Sequence, residues 1–184
     1  MAAEGSSLMQ PERVIRGRRV EDDLWQVIGV PPHEELPASL PQGPVIVPLG
    51  LWQERREELI ARGDPLGVWL APADDPAAIA PELHRFAVIA VHFPKFTDGR
   101  GYSTAALLRR RYGYRGELRA FGDVGRDQLF YLLRCGFDAF KLAPHRDPEG
   151  ALASLHDFTV RYQGSVDDPV PLFRKRAAAG GIAR

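Results

Sequence analysis

The sequence predicts an α/β protein with a mostly parallel sheet built from successive βαβ units, and three observations carry that prediction. Five short apolar runs recur at intervals of roughly 20 residues, the spacing expected of strands joined by crossover helices. Helical patterns fill the gaps between them. Glycines and Asp-Pro pairs stand where those helices should stop and start. With 184 residues, 45% of them hydrophobic, the chain is long enough for one domain with a sizeable core.

Residues 1–12 include MAAEGSSLMQP, which lacks the basic start and apolar run of a secretion signal and reads as a disordered tail. From Arg13 to Ile28 the pattern alternates loosely around Gly17, which predicts a small β-hairpin on the edge of the fold. Five prolines between Pro31 and Pro44 mark a linker, so residues 13–43 form a hairpin followed by a Pro-rich connection. The single α/β domain occupies residues 44–172. Its expected strands are Val45 to Leu49, Leu66 to Ala71, Ala87 to Phe93, Glu117 to Phe121 and Phe137 to Leu142. Asp75-Pro76 and Asp147-Pro148 each place a capping side chain before a proline that suits the first helical position. Gly63, Gly113 and Gly136 fall where helices from Gln53, Thr104 and Arg126 should end. A last helix from Glu149 to about Tyr162 is expected to bury Leu152, Leu155, Phe158 and Val160. Residues 173–184 read as a polar C-terminal tail. Five units are too few for an eight-stranded barrel, which leaves an open three-layer sandwich or a partial TIM-like barrel. The open sheet is the favoured arrangement.

Composition narrows the function classes. Twenty-four basic and 24 acidic residues cancel, so the whole chain offers no electrostatic case for nucleic acid or an anionic membrane as partner. No stretch approaches the roughly 18 apolar residues of a membrane span. The lone Cys135 excludes an internal disulfide and a metal or iron–sulfur site held by several thiolates of this chain, which fits a cytoplasmic location. It falls in the last turn of its helix, where a thiol is not activated, and reads as structural. The five histidines show no metal-ligand spacing. His92 within an apolar run reads as a core residue. Gly99 and Gly101 with Asp123 imitate a dinucleotide fingerprint, but the third glycine position is Thr104, so no cofactor is expected.

Open parallel sheets bind ligands beyond the C-terminal ends of their strands. Lys95, Asp98, Arg100, Tyr102 and Ser103 follow one such end, Asp123, Arg126 and Asp127 follow the next, and His145 and Arg146 follow the last. Helix N-termini on this rim favour an oxyanion or phosphate, with Arg100 and Arg126 supplying charge, Ser103 a hydroxyl, and Gly99 and Gly101 close backbone approach. Asp98, Asp123 and Asp127 are the candidates for catalysis or for orienting the arginines. The same residues also suit ordinary roles: Asp123 and Ser103 as helix caps, and Asp98-Gly99 as a turn. Arg119 and Lys141 lie inside predicted strands; Asp138 or Glu117 could partner them, or the strands could be edges, the favoured reading for Lys141. Arg109, Arg110, Arg111 and Arg115 beside Tyr112 and Tyr114 could contact nucleic acid or an acidic protein, but such a run more often forms the solvated face of an amphipathic helix.

Several of these segments also resemble a known family. They are Phe96 to Ser103 (FTDGRGYS), Leu107-Leu108-Arg109, Tyr112 to Ala120 (YGYRGELRA), Gly122-Asp123-Val124, Arg126-Asp127-Gln128 and Cys135 to Phe140 (CGFDAF). The family consists of bacterial proteins of unassigned function, encoded beside assimilatory sulfite reductase and labelled oxidoreductases of sulfite reduction. The resemblance implies a role in sulfur assimilation with sulfite reductase as a partner, and it brings no catalytic residues. The expected function is therefore an accessory protein of assimilatory sulfite reduction that binds a small anionic ligand or the reductase. The alternative is a small-molecule enzyme acting on a phosphorylated or sulfur-containing substrate at the same rim.

Overall fold

The computed structural model describes residues 12–30 and 36–180. The expected disordered tail, apart from Glu12, and the start of the Pro-rich linker lie outside them. Among the described residues, eight strands form one curled, mostly parallel sheet. They are β1 (Arg13–Arg16), β2 (Arg19–Asp22), β3 (Gln26–Val27), β4 (Val45–Pro48), β5 (Leu66–Leu70), β6 (Val88–Phe93), β7 (Glu117–Gly122) and β8 (Ala139–Phe140). Their spatial order is β2-β1-β8-β7-β6-β5-β4-β3, with β3 through β8 parallel and β1 antiparallel to both β2 and β8.

Helical turns lie in each connection from β4 to β8. They comprise α1 (Leu49–Glu54), α2 (Arg56–Ala61), a 3₁₀ segment at Pro76–Arg85, α3 (Arg100–Arg110), a 3₁₀ turn at Arg126–Gln128 and α4 (Leu129–Cys135). After β8 come α5 (Pro148–Ala151), a 3₁₀ segment at Leu152–His156 and α6 (Leu172–Gly180). Asp75 and Asp147 cap as their sequence context requires, the first accepting from Ala77 N at 2.9 Å and the second from Glu149 N at 3.0 Å and Gly150 N at 2.9 Å. Pro81 has no N–H to give, and the segment containing it is 3₁₀ instead of an α-helix. Gly136 closes α4 in the left-handed region, at φ 109°.

Strand side chains alternate between two unequal cores. Val47, Val68, Ile89, Val91 and Leu118 face the helices, packing with Leu51, Trp52, Ile79, Leu108, Leu132 and Leu155. On the other face Ile46, Trp69, Val88, Ala90 and Phe121 pack against Trp25, Val27 and Val30 from the N-terminal segment. Among the described residues, helices thus cover one face only. This corrects the favoured three-layer sandwich: the strands lie side by side in chain order, the connections pack on one face, and the sheet curls into a half-barrel.

The hairpin β1–β2 forms around Gly17, whose φ is 59°. Its continuation was not foreseen. The chain leaves β2, crosses the concave face, and pairs as β3 with β4 at the far edge of the sheet. Trp69 Nε1 donates to Ile28 O at 2.8 Å, which pins this strap down. Residues 152–156 are 3₁₀ instead of the longer helix expected, so Phe158 and Val160 fall beyond the last turn and are exposed rather than buried. Phe158 packs on Phe130 at 4.9 Å. Residues 172–180, expected as tail, are helical. Among the described residues no helix is long and apolar enough to cross a membrane.

Candidate functional site at the C-terminal rim

Two loops, one after β6 and one after β7, meet at the C-terminal ends of the strands. Phe93 is paired with Gly122 across the last rung, and Asp123 N donates to Phe93 O at 2.7 Å. Gly122 has φ 101°, and a Cβ there would stand 2.3 Å from Phe93 O, so this tight crossing requires glycine. Beyond the rung, Asp123 Oδ2 accepts from Phe96 N at 2.9 Å. Gln128 adds a buried second tie: its Oε1 accepts from Gly125 N at 2.8 Å, and its Nε2 donates to Tyr102 OH at 3.3 Å.

The predicted site residues divide on inspection. Arg100 begins α3 and clasps Asp98, with Nε to Oδ1 at 3.0 Å and Nη2 to Oδ2 at 2.6 Å. This pairing holds the Asp98 carboxyl below its usual range and suits it poorly to act as a base. Arg126 is exposed and donates through Nε to Ser154 Oγ at 2.9 Å, a bond that does not use its two Nη groups. Asp127 is exposed beside it. Asp123 lies 3.6 Å from Arg146 Nη2, which brings the loop after β8 into the same group. Gly125 makes room for that arginine, since a Cβ would sit 2.6 Å from Arg146 Nη1.

Two candidates do other work. Gly101 is buried, and a Cβ would meet Phe93 Cζ at 2.6 Å, so its small size serves the packing of α3 on β6. Ser103 is no cap, because α3 starts four residues earlier than expected, with Gly99 at its N-cap. It lines an outward groove with Tyr131, Cys135 and Val166. Cys135 itself is buried, which pushes its thiol pKa up, in keeping with a structural role.

The strand charges have definite partners. Arg119 is completely buried on the concave face, with Nη1 at 2.9 Å from both Oδ1 and Oδ2 of Asp23 and Nε at 2.8 Å from Glu117 Oε1. Glu117 is one of the two partners the sequence suggests; Asp23, on the strap, carries no such signal. Lys141 points to the same place, pairing with Glu12 and lying 3.9 Å from Asp23 Oδ2. Its edge placement is corrected, because β8 runs between β7 and β1. Asp138 instead accepts from Arg109 Nη2 and from Leu118 N, each at 2.7 Å. Arg109 also donates to the carbonyls of Gly136, Tyr114 and Gly116 at 2.8–2.9 Å, so it leaves the solvated face assigned to it. It closes the turns before β7 and β8. Among the described residues no group of three His, Cys, Asp or Glu is placed to hold a metal ion.

A cavity of about 540 Å³ opens at the mouth of the half-barrel, between the strap, the ends of β7 and β8, and the loop at residues 143–148. Comparison with curated proteins gives no match. The model of one family covers residues 67–173, which takes in β5 to β8, both tied loops and the cavity's 143–148 loop. The chain belongs to that family, described as bacterial protein of unknown function (DUF934).

Proposed function

We propose that this chain is an accessory protein of assimilatory sulfite reduction that binds an oxyanion, or the reductase through one, at the rim formed by residues 98–103 and 122–128. The observation that supports it most is the cross-tie of the two loops by Asp123 and Gln128. Each of the three strand ends beside it carries an arginine with a partner: Arg100 with Asp98, Arg126 with Ser154 and Arg146 with Asp123. Arginine keeps several donors when one is used, so each can still meet an anion. Gly99 at the start of α3 leaves the backbone open there. The sulfur assignment rests on the family resemblance carried by the segments from Phe96 to Phe140.

Two measurements test the two halves of this reading. Titration with sulfite should show saturable binding that weakens roughly tenfold in Arg126→Ala, and unchanged binding in that variant removes the rim. A deletion strain should fail to grow on sulfate or sulfite and recover on sulfide; normal growth on all three removes the pathway. The enzymatic alternative, on a phosphorylated or sulfur-containing small molecule, is favoured by the adjoining cavity, which exceeds what a lone oxyanion needs.

A further inference from the structure

The cavity at the mouth is walled on one side by apolar groups and on the other by charge. Val27 and Val30 of the strap, Phe121 at the end of β7 and Leu142 after β8 supply the apolar wall. Arg13, Lys141 and Arg146, with His145 and the carboxylate of Glu12, supply the polar one, and Asp22, Asp123 and Glu149 pair with the two arginines from outside the lining. Each cation is anchored by a carboxylate: Arg13 by Glu149 at 3.2 Å, Lys141 by Glu12, and Arg146 by Asp123 at 3.6 Å. An anchored guanidinium or ammonium retains further N–H groups and has already lost rotamer freedom, so it binds a second anion at reduced entropic cost. His145 holds φ at 71°, an uncommon conformation for a residue other than glycine, at this same wall.

Size decides the class of ligand. An inorganic oxyanion would leave most of 540 Å³ unfilled and the apolar wall wet, whereas volumes of about 300–1,000 Å³ suit whole small molecules. We propose that this cavity binds an organic oxyanion, a small molecule with an apolar or aromatic body and a phosphate or sulfonate head. The body lies against Phe121, Val27, Val30 and Leu142, and the head meets Arg146, Arg13 and Lys141. The inference rests on the reading of the C-terminal rim as the binding side of the molecule.

Calorimetric titration of the full chain with four probes tests it: phenyl phosphate, benzenesulfonate, inorganic phosphate and sulfite. The organic anions should bind at least roughly tenfold more tightly than their inorganic counterparts. Whichever of phenyl phosphate and benzenesulfonate binds more tightly identifies the head group. Arg146→Ala, an exposed change that spares the core, should weaken them by a similar factor, and Arg110→Ala on the outer face of α3 should not. Inorganic anions binding as tightly as organic ones, or Arg146→Ala without effect, overturns the proposal. Sulfite binding that is lost in Arg126→Ala, with no gain from a phenyl group, leaves the rim reading standing and this one refuted. Binding of none of the four removes both.

Discussion

Arg119 shows how a single residue resists reading from sequence alone. A charge inside an apolar strand signals that a partner exists, and Glu117, two residues away on the same face, was within reach of sequence reasoning. The second partner, Asp23, lies 96 residues earlier, in a segment whose crossing of the sheet has no local signature. Removing one member of such a buried pair strands the other's charge. Arg119→Ala should therefore destabilise the fold by about 3–5 kcal/mol in urea unfolding. Joint replacement by Asp23→Leu and Arg119→Met should recover most of that loss, leaving Glu117 to Arg16 at 2.7 Å. His92 offers a pH test on the same face. It stacks on Phe121 at 4.9 Å and meets Trp69 edge-on at 5.7 Å, and burial lowers its pKa by disfavouring the imidazolium. A depressed folded-state pKa means that its stabilising contribution is complete above the unfolded value of about 6.5 and is lost as pH falls toward the folded one. The urea midpoint should drop between pH 7 and pH 5, and His92→Phe should flatten that drop.

Elements were legible where their signal was local. Val88–Phe93 and Leu66–Leu70 are buried along their whole length, as continuous apolar runs in a parallel sheet should be. Asp75, Asp147 and Gly136 mark helix ends because their geometry depends on neighbours within a few residues. The start of α3 was misplaced because FTDGRGYS offers several turn and cap residues in a row, and the helix begins at the first place where Gly101 can approach β6. Gly101→Ala tests this account. Forcing a methyl group against Phe93 should cost about 1–3 kcal/mol by displacing α3, read as a lower urea midpoint. If the midpoint is unchanged, the glycine is not there for packing, and the anion-binding role returns.

At the level of the whole molecule, the parallel strands could be read from the sequence but the layers around them could not. Strand ends are a local property, whereas the side on which helices pack depends on strand order, which no single segment encodes. The strap adds a further consequence. Its hairpin pairs with β8 at one end and its β3 pairs with β4 at the other, so residues 13–27 connect strands that lie almost a hundred residues apart in the chain. Such distant pairings are slow to form, because loop closure precedes the contacts that stabilise it. During synthesis this segment leaves the ribosome before the strands it joins, and its pairing with Ala139–Phe140 and the bond from Asp23 to Arg119 must wait for them. Until then Trp69 and Phe121 lack their cover from Trp25 and Val27. Residues 13–27 are thus made before the strands they cover and settle only after them, so an aromatic surface at Trp69 and Phe121 stays open until the strap closes over it.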